Sequence, residues 1–304
     1  MEAIDLVRIN FNPQQLKLLN ICLAFLMFGV ALDISKEDFL YVLKAWPSIV
    51  VGLISQLILL PILTLILIYI FHPPVSVAVG MVLVSVCPGG NVSNFMVHLA
   101  KGNAALSVTL TSIVTLGAVF LTPIGFYFWT SFTYGEQYLN QELSVSPTDI
   151  LVTVFTLIVI PLLIGMGFNR YLTKLSKKIR KPVKLFSILI FVAFVVLAIF
   201  ANLQNIVEHV SKIILIVIIH NGSALLMGYS FARLFRRNTY DARAIAIETG
   251  IQNSGLALII IFNFYDGLGG MALITACWGI WHLITGGLLS AYWSQIPTRS
   301  SPKM

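Results

Sequence analysis

Apolar residues along this 304-residue chain gather into nine runs, each near the 20 residues a helix needs to cross about 30 Å of hydrocarbon. We place them at 14–33 (A), 45–71 (B), 75–100 (C), 103–132 (D), 147–169 (E), 183–205 (F), 210–235 (G), 240–264 (H) and 268–294 (I). Two runs are interrupted by polar and helix-breaking residues. Span C breaks at Cys87-Pro-Gly-Gly-Asn-Val-Ser-Asn94, and span H at Glu248-Thr-Gly-Ile-Gln-Asn-Ser-Gly255. Pro88 removes a backbone donor and clashes with the turn before it, while Gly89, Gly90 and Gly250 add conformational freedom. Pro47, Pro61 and Pro161 lack such polar company and read as plain kinks. A carboxylate as deep as Glu248 is unfavourable by roughly 2.5–3.5 kcal/mol on insertion scales, so it calls for a partner beside it. The pattern predicts two unwound stretches of membrane helix, one built to hold a cation.

The interrupted spans are the third and the eighth, an odd number of crossings apart, so they run in opposite directions. Their polar centres are alike, Gly90-Asn-Val-Ser-Asn94 against Gly250-Ile-Gln-Asn-Ser-Gly255. Paired breaks in antiparallel halves point to an inverted-repeat transporter with its site near the midplane. On this scheme A, B, C and D pair with F, G, H and I, and E has no partner. The expected fold class is an all-α polytopic membrane protein of nine transmembrane helices, forming one transport domain over 1–304.

Composition agrees: 58% of residues are hydrophobic and 10% charged, against about 25% charged in soluble domains. The net charge of +7 is therefore a matter of topology, not of nucleic acid binding. With a cytoplasmic C-terminus, 16 of the 19 Lys and Arg fall on the inner side, leaving Arg8, Lys17 and Lys212 outside. Arg170, Lys174, Lys177, Lys178, Arg180, Lys181 and Lys184 crowd the E–F loop alone. The positive-inside rule thus gives an outer N-terminus in a cell (inner) membrane protein. Glu2 and Asp5 stand where a signal peptide would carry basic residues. Cys22, Cys87 and Cys277 lie in apolar runs without metal spacing and read as isolated thiols.

Taken together, Pro88-Gly-Gly, Ser93-Asn94, Leu106-Ser-Val-Thr-Leu-Thr111 and the octet at Glu248 resemble the bile acid:sodium symporter family, in its bacterial form. Met27-Phe-Gly-Val-Ala-Leu, Gln56, His220-Asn-Gly and Trp281-His282 support the resemblance, which runs from about residue 14 to 294. It implies two crossed discontinuous helices inside a core domain, with a panel domain beside it. The panel would hold 14–33, 147–169 and 183–205, and the core 45–71, 75–100, 103–132, 210–235, 240–264 and 268–294. It further implies two co-transported sodium ions behind the crossing. Ser93, Asn94, Ser107, Thr111 and Glu248 would form the first site. Gln56, Glu248, Gln252 and the carbonyls of Thr249 and Ile251 would form the second. Sodium is a hard cation suited to such oxygen donors. Substrate would meet Asn91, the Val92 backbone, Asn253 and His282 in front of the crossing, where helix N-termini favour an anion. Leu283 stands where bile-acid-binding bacterial relatives carry asparagine.

The expected activity is sodium-coupled symport of an organic anion, either bile acid-like or a small carboxylate, by alternating access. The lipid bilayer is the other partner, and neither nucleic acid nor an obligate protein partner is expected. An enzyme is disfavoured, because the chain has no H-E-x-x-H zinc motif, phosphate-binding glycine loop with lysine or G-x-S-x-G elbow. The competing reading is a proton-coupled organic anion carrier or cation/proton antiporter, with Glu248 carrying the proton.

Overall fold

The computed structural model describes residues 3–6, 8, 13–32, 36–133, 151–153, 155–176, 178–180, 182, 183, 185, 186, 189, 193 and 203–296. A one-turn helix at Ala3–Leu6 precedes α1 (Pro13–Ala31), α2 (Lys36–Ile54), α3 (Leu60–Phe71), α4 (Val75–Val86), α5 (Asn91–Leu99) and α6 (Ala104–Thr130). Then follow α7 (Ile160–Tyr171), α8 (Leu203–Leu234), α9 (Thr239–Gly250), α10 (Ser254–Phe264) and α11 (Gly269–Ser294). Among the described residues there is no β-strand, only two isolated bridges. Of span F only residues 183, 185, 186, 189, 193 and 203–205 are described. The protein is an all-helical, multi-pass membrane protein; among the described residues five helical stretches are long and apolar enough to cross: Ala45–Phe71, Ala104–Thr130, Leu151–Tyr171, Ile213–Leu234 and Gly269–Ser294.

Two of those stretches bend where the sequence places proline. Pro61 and Pro161 each sit in the first turn of a helix that follows a π-helical turn, at Ser55–Leu59 and Phe155–Val159. The wider turn makes room for the proline ring, which would otherwise press on the carbonyl four residues back. Ahead of Pro47 the backbone leaves helical geometry at Ala45, where φ is −110° and ψ 19°. All three prolines read as kinks in the sequence do disturb their helices.

The interrupted spans are confirmed as pairs of half-helices, α4–α5 and α9–α10. Twelve residues of α4 or α9 cover only about 18 Å, so neither half crosses alone. The unwound parts are shorter than the sequence implies, Cys87–Gly90 and Ile251–Asn253. Asn91 to Asn94 already wind as the first turn of α5, and Glu248 to Gly250 close α9. The breaks satisfy each other's backbone. Gly90 N–H donates to Ile251 O at 3.0 Å, Asn253 N–H donates to Pro88 O at 2.8 Å, and Gly89 pairs antiparallel with Gln252. Orphaned backbone groups are costly in lipid, and this exchange pairs two of the donors that the breaks set free. Side chains shield it further, since residues 76–86, 242–251 and 254–261 are buried on every face.

Polar side chains fix the helix ends. Asp5 Oδ1 accepts from Ser76 N–H at 2.9 Å and Ser76 Oγ at 2.6 Å, placing a carboxylate at the N-terminus of α4. At the other end of the bundle Asp241 accepts from Ser48 Oγ and from Asn103 Nδ2, both at 2.7 Å, tying α2, α6 and α9 together. Arg243, counted from sequence with the basic loop, is in fact buried in α9. It donates to the carbonyls of Ala100 (2.7 Å), Trp293 (3.0 Å) and Ile296 (3.1 Å), groups left over where α5 and α11 end. Apart from this cluster, α1 packs along α7. A methyl at Gly165 would lie 2.6 Å from Ala31 Cβ, and the rings of Phe28 and Phe168 meet edge-on at 5.8 Å. Phe186, in span F, meets Phe25 of α1 edge-on at 6.0 Å.

Candidate ion and substrate site

Glu248, in the last turn of α9, is fully buried, with 0% of its surface exposed. The α9 helix brings it to α5 and α6, where all five residues of the first expected sodium site converge. Ser93 Oγ donates to Glu248 Oε1 at 2.5 Å and Ser107 Oγ donates to the same oxygen. Thr111 Oγ1 lies 3.0 Å from Oε1 and 2.9 Å from Oε2. Asn94 Oδ1 accepts from Ser107 at 2.7 Å and Thr111 at 3.3 Å. Ser93 Oγ also approaches Gly90 O at 2.6 Å. Ser107 and Thr111 share a helix face because they are four residues apart. Three hydroxyls have one proton each, too few for the oxygens they touch. Lone pairs are left facing lone pairs around a buried carboxylate, an arrangement that a cation relieves.

Gly89 sits against this carboxylate for a steric reason. A Cβ there would stand 2.8 Å from Glu248 Oε2 and 3.7 Å from Ile251 O. The unwound turn can come this close only with a residue that has no side chain.

Of the residues expected in the second site, Gln56 lies in the π-helical turn of Ser55–Leu59 and Gln252 in the break after α9. Gln56, 3% exposed, stands within electrostatic reach of the carboxyl, yet its Oε1 and Nε2 make no hydrogen bond of ordinary geometry. Gln252 Oε1 is likewise buried and unpartnered, while its Nε2 donates to Thr249 O at 2.9 Å and Glu248 O at 3.3 Å. The Ile251 carbonyl accepts from Gly90 N–H, so it offers a cation only its second lone pair. Buried amide oxygens without partners cost roughly 1–3 kcal/mol each, so this donor set also fits a hard cation.

Of the expected substrate residues, Asn91 begins α5, and its side chain lies outside what the structure describes. Val92 is half-buried and packs against the apolar cluster that includes Ile251 and Met96. Asn253 caps α10, its Oδ1 accepting from Leu256 N–H at 3.0 Å, which leaves its Nδ2 for other partners. His282 is 6% exposed and its Nδ1 has no partner. Its helix touches the crossing one turn later, where a methyl on Gly286 would lie 2.7 Å from Ile251 Cδ1.

Ser55 and Thr285, which help hold the site in place, were not singled out from the sequence, and Asn221 entered only within the His220-Asn-Gly run, with no role given to it. Asn221 Nδ2 donates to Gly250 O at 2.7 Å, capping α9, and Thr285 Oγ1 donates to Asn221 Oδ1 at 2.6 Å. Ser55 Oγ meets Thr249 Oγ1 at 2.8 Å, fixing the turn that carries Gln56. The π-helical turn is itself a mark of a functional position, but nothing in the local sequence announces it.

Residues 20–209 match the Sodium Bile acid symporter family. The chain belongs to that family. It is a transporter and not an enzyme. The chain is similar to the uncharacterized sodium-dependent transporter YocS of Bacillus subtilis (strain 168), being 32% identical over 277 residues that cover 91% of this chain and 83% of that protein. It is also similar to the probable sodium/metabolite cotransporter BASS1, chloroplastic, of Arabidopsis thaliana, 28% identical over 284 residues, covering 92% of this chain and 67% of that one. The probable sodium/metabolite cotransporter BASS2, chloroplastic, of Oryza sativa subsp. japonica is 26% identical over 277 residues, or 91% of this chain and 64% of the relative.

Proposed function

We propose that this protein carries a small organic anion into the cell together with two sodium ions, by alternating access. The observation that carries the reading is the proton-poor oxygen cluster around Glu248. A buried carboxylate whose hydrogen-bond partners are hydroxyls carries a charge that nothing neutral offsets, and such a charge is tolerated only when paired. One sodium bound by Ser93, Asn94, Ser107, Thr111 and Glu248 supplies the pairing. A second, bound by Gln56, Gln252, Glu248 and the Thr249 and Ile251 carbonyls, takes up the unpartnered amide oxygens. The names of the Bacillus, Arabidopsis and rice relatives, which speak of sodium-dependent transport or sodium/metabolite cotransport, point the same way.

In this reading nine spans form inverted repeats, with the N-terminus outside. Spans B, C, D, G, H and I make the ion-bearing core; A, E and F make the panel. The packing of α1 on α7 and of Phe25 on Phe186 supports that grouping. Substrate binds in front of the crossing at Asn91, Val92, Asn253 and His282. Leu283, next to His282 in sequence, is half-buried against an apolar cluster and offers no polar group there. That favours a small carboxylate over a ligand needing a further amide contact.

The test is uptake in vesicles under imposed sodium or pH gradients, after a carboxylate ligand has been found by sodium-dependent thermal shift. Glu248→Ala is expected to abolish sodium-driven uptake while the protein inserts normally. Sodium dependence surviving in that variant removes Glu248 from the mechanism. Uptake driven by a pH gradient alone assigns the carboxylate to proton transfer.

A further inference from the structure

Among the described residues, a mutual pair of side-chain amides joins α1 to the ion-bearing helix pair. Asn20 Nδ2 donates to Asn263 Oδ1 at 3.3 Å, and Asn263 Nδ2 donates back to Asn20 Oδ1 at 3.1 Å. Farther along the two helices, buried Met27 and Ala31 of α1 belong to the same apolar core as Leu258, Ile259 and Phe262 of α10. Asn20 lies two turns from the start of α1, and Asn263 is the penultimate residue of α10. The pair therefore sits at one end of the bundle, the outer end on the orientation proposed above. Helix α10 continues through the break at Ile251–Asn253 into α9 and Glu248.

We propose that Asn20 and Asn263 form a latch that holds the carrier closed to the outside and parts when the core swings; this rests on the alternating-access reading. A pair that served only to glue two helices would gain from permanence. This one is built to open, because Asn263 Nδ2 also donates to Ile259 O on its own helix at 2.9 Å. When the helices separate, that amide keeps a partner. Asn20 and Asn263 are both only half-buried, so water reaches them as the gap opens. An interhelical side-chain bond in a membrane is weak on average, which suits a contact that must break in every cycle.

The reporter is Val92→Cys in a protein with Cys22, Cys87 and Cys277 replaced by alanine, labelled by an impermeant maleimide on whole cells and on inside-out vesicles. In the parent, labelling is expected from both sides, slowly from outside. Adding Asn20→Leu or Asn263→Leu is expected to raise the outside rate roughly threefold, the average worth of such a bond. The double variant should do no more than either single one. In a second protein, Asn20→Cys and Asn263→Cys in the same background without the reporter should be joined by a short bifunctional maleimide in native membranes. Outside labelling indifferent to both leucine variants, or absence of the cross-link, overturns the latch. A parent reporter reached from one side only under every condition refutes alternating access itself, and the latch falls with it.

Discussion

A single methyl group at Gly89 sets the helix break against the ion site. The Cβ of Gly89→Ala would stand 2.8 Å from Glu248 Oε2, well inside ordinary contact, and that oxygen is held from the other side by Thr111 at 2.9 Å. Either the unwound turn or the carboxylate must yield by about half an ångström. The turn is pinned by the Gly90–Ile251 and Asn253–Pro88 hydrogen bonds, so the carboxylate is expected to move. With a cation about 2.4 Å from the oxygen and an effective dielectric constant of about 20, retreat by that distance costs roughly 1 kcal/mol. Sodium affinity should then fall on the order of fivefold to tenfold. Gly90→Ala is the control, because its Cβ meets nothing nearer than Gln252 O at 3.4 Å and its φ of −84° suits any residue. The assay is sodium titration of the thermal midpoint of purified protein, in potassium of constant total ionic strength. If Gly89→Ala folds and binds sodium as the wild type does, Glu248 Oε2 is no ligand and the cation lies elsewhere. If both alanine variants lose sodium equally, the break as a whole governs binding and the steric argument fails.

Gln252→Ala and Asn94→Ala should each weaken the sodium response in the same titration, since each removes an oxygen from one site, while Glu248→Ala should abolish it. Asp241→Ala should lower stability by about 1–3 kcal/mol through the stranded Ser48 and Asn103 partners, read by thermal unfolding, and should leave sodium affinity near that of the wild type. Two sodium ions moving with one monovalent anion carry one net charge, worth about 2.3 kcal/mol per 100 mV. Valinomycin-set inside-negative vesicles should therefore accumulate a monovalent substrate even with equal sodium on both sides, and indifference to the potential would rule out two-to-one coupling.

Glu248 was legible because its flanks are so apolar that a carboxylate there needed a reason. Ser93, Asn94, Ser107 and Thr111 were implied by the family resemblance, and spacing added only that Ser107 and Thr111 share a helix face. What sequence could not supply were distances between remote segments. Gly89 looked like a source of backbone freedom, whereas the fold gives it a steric duty against Glu248 Oε2. Asn221 is one amide in a long apolar helix, and its cap on Gly250 depends on how α8 crosses α9. Asn20 and Asn263 are separated by 243 positions, and neither has local company to mark it. Arg243 was counted with the inner basic residues by charge alone. The fold keeps it at the bundle end shared with Ala100 and Ile296 but buries it, its guanidinium bonding leftover helix carbonyls.

The mutual pairing of the two breaks has a consequence for biogenesis. Pro88 O and Gly90 N–H find their partners only at Asn253 and Ile251, about 160 residues later in the chain. At synthesis rates of roughly 5–20 residues per second, the first half must wait on the order of 10–30 seconds in the membrane with its unwound turn unmatched. During that interval the insertion machinery or trapped water has to serve those groups. Chains stopped before residue 251 would keep an exposed polar notch in lipid and become substrates for membrane quality control.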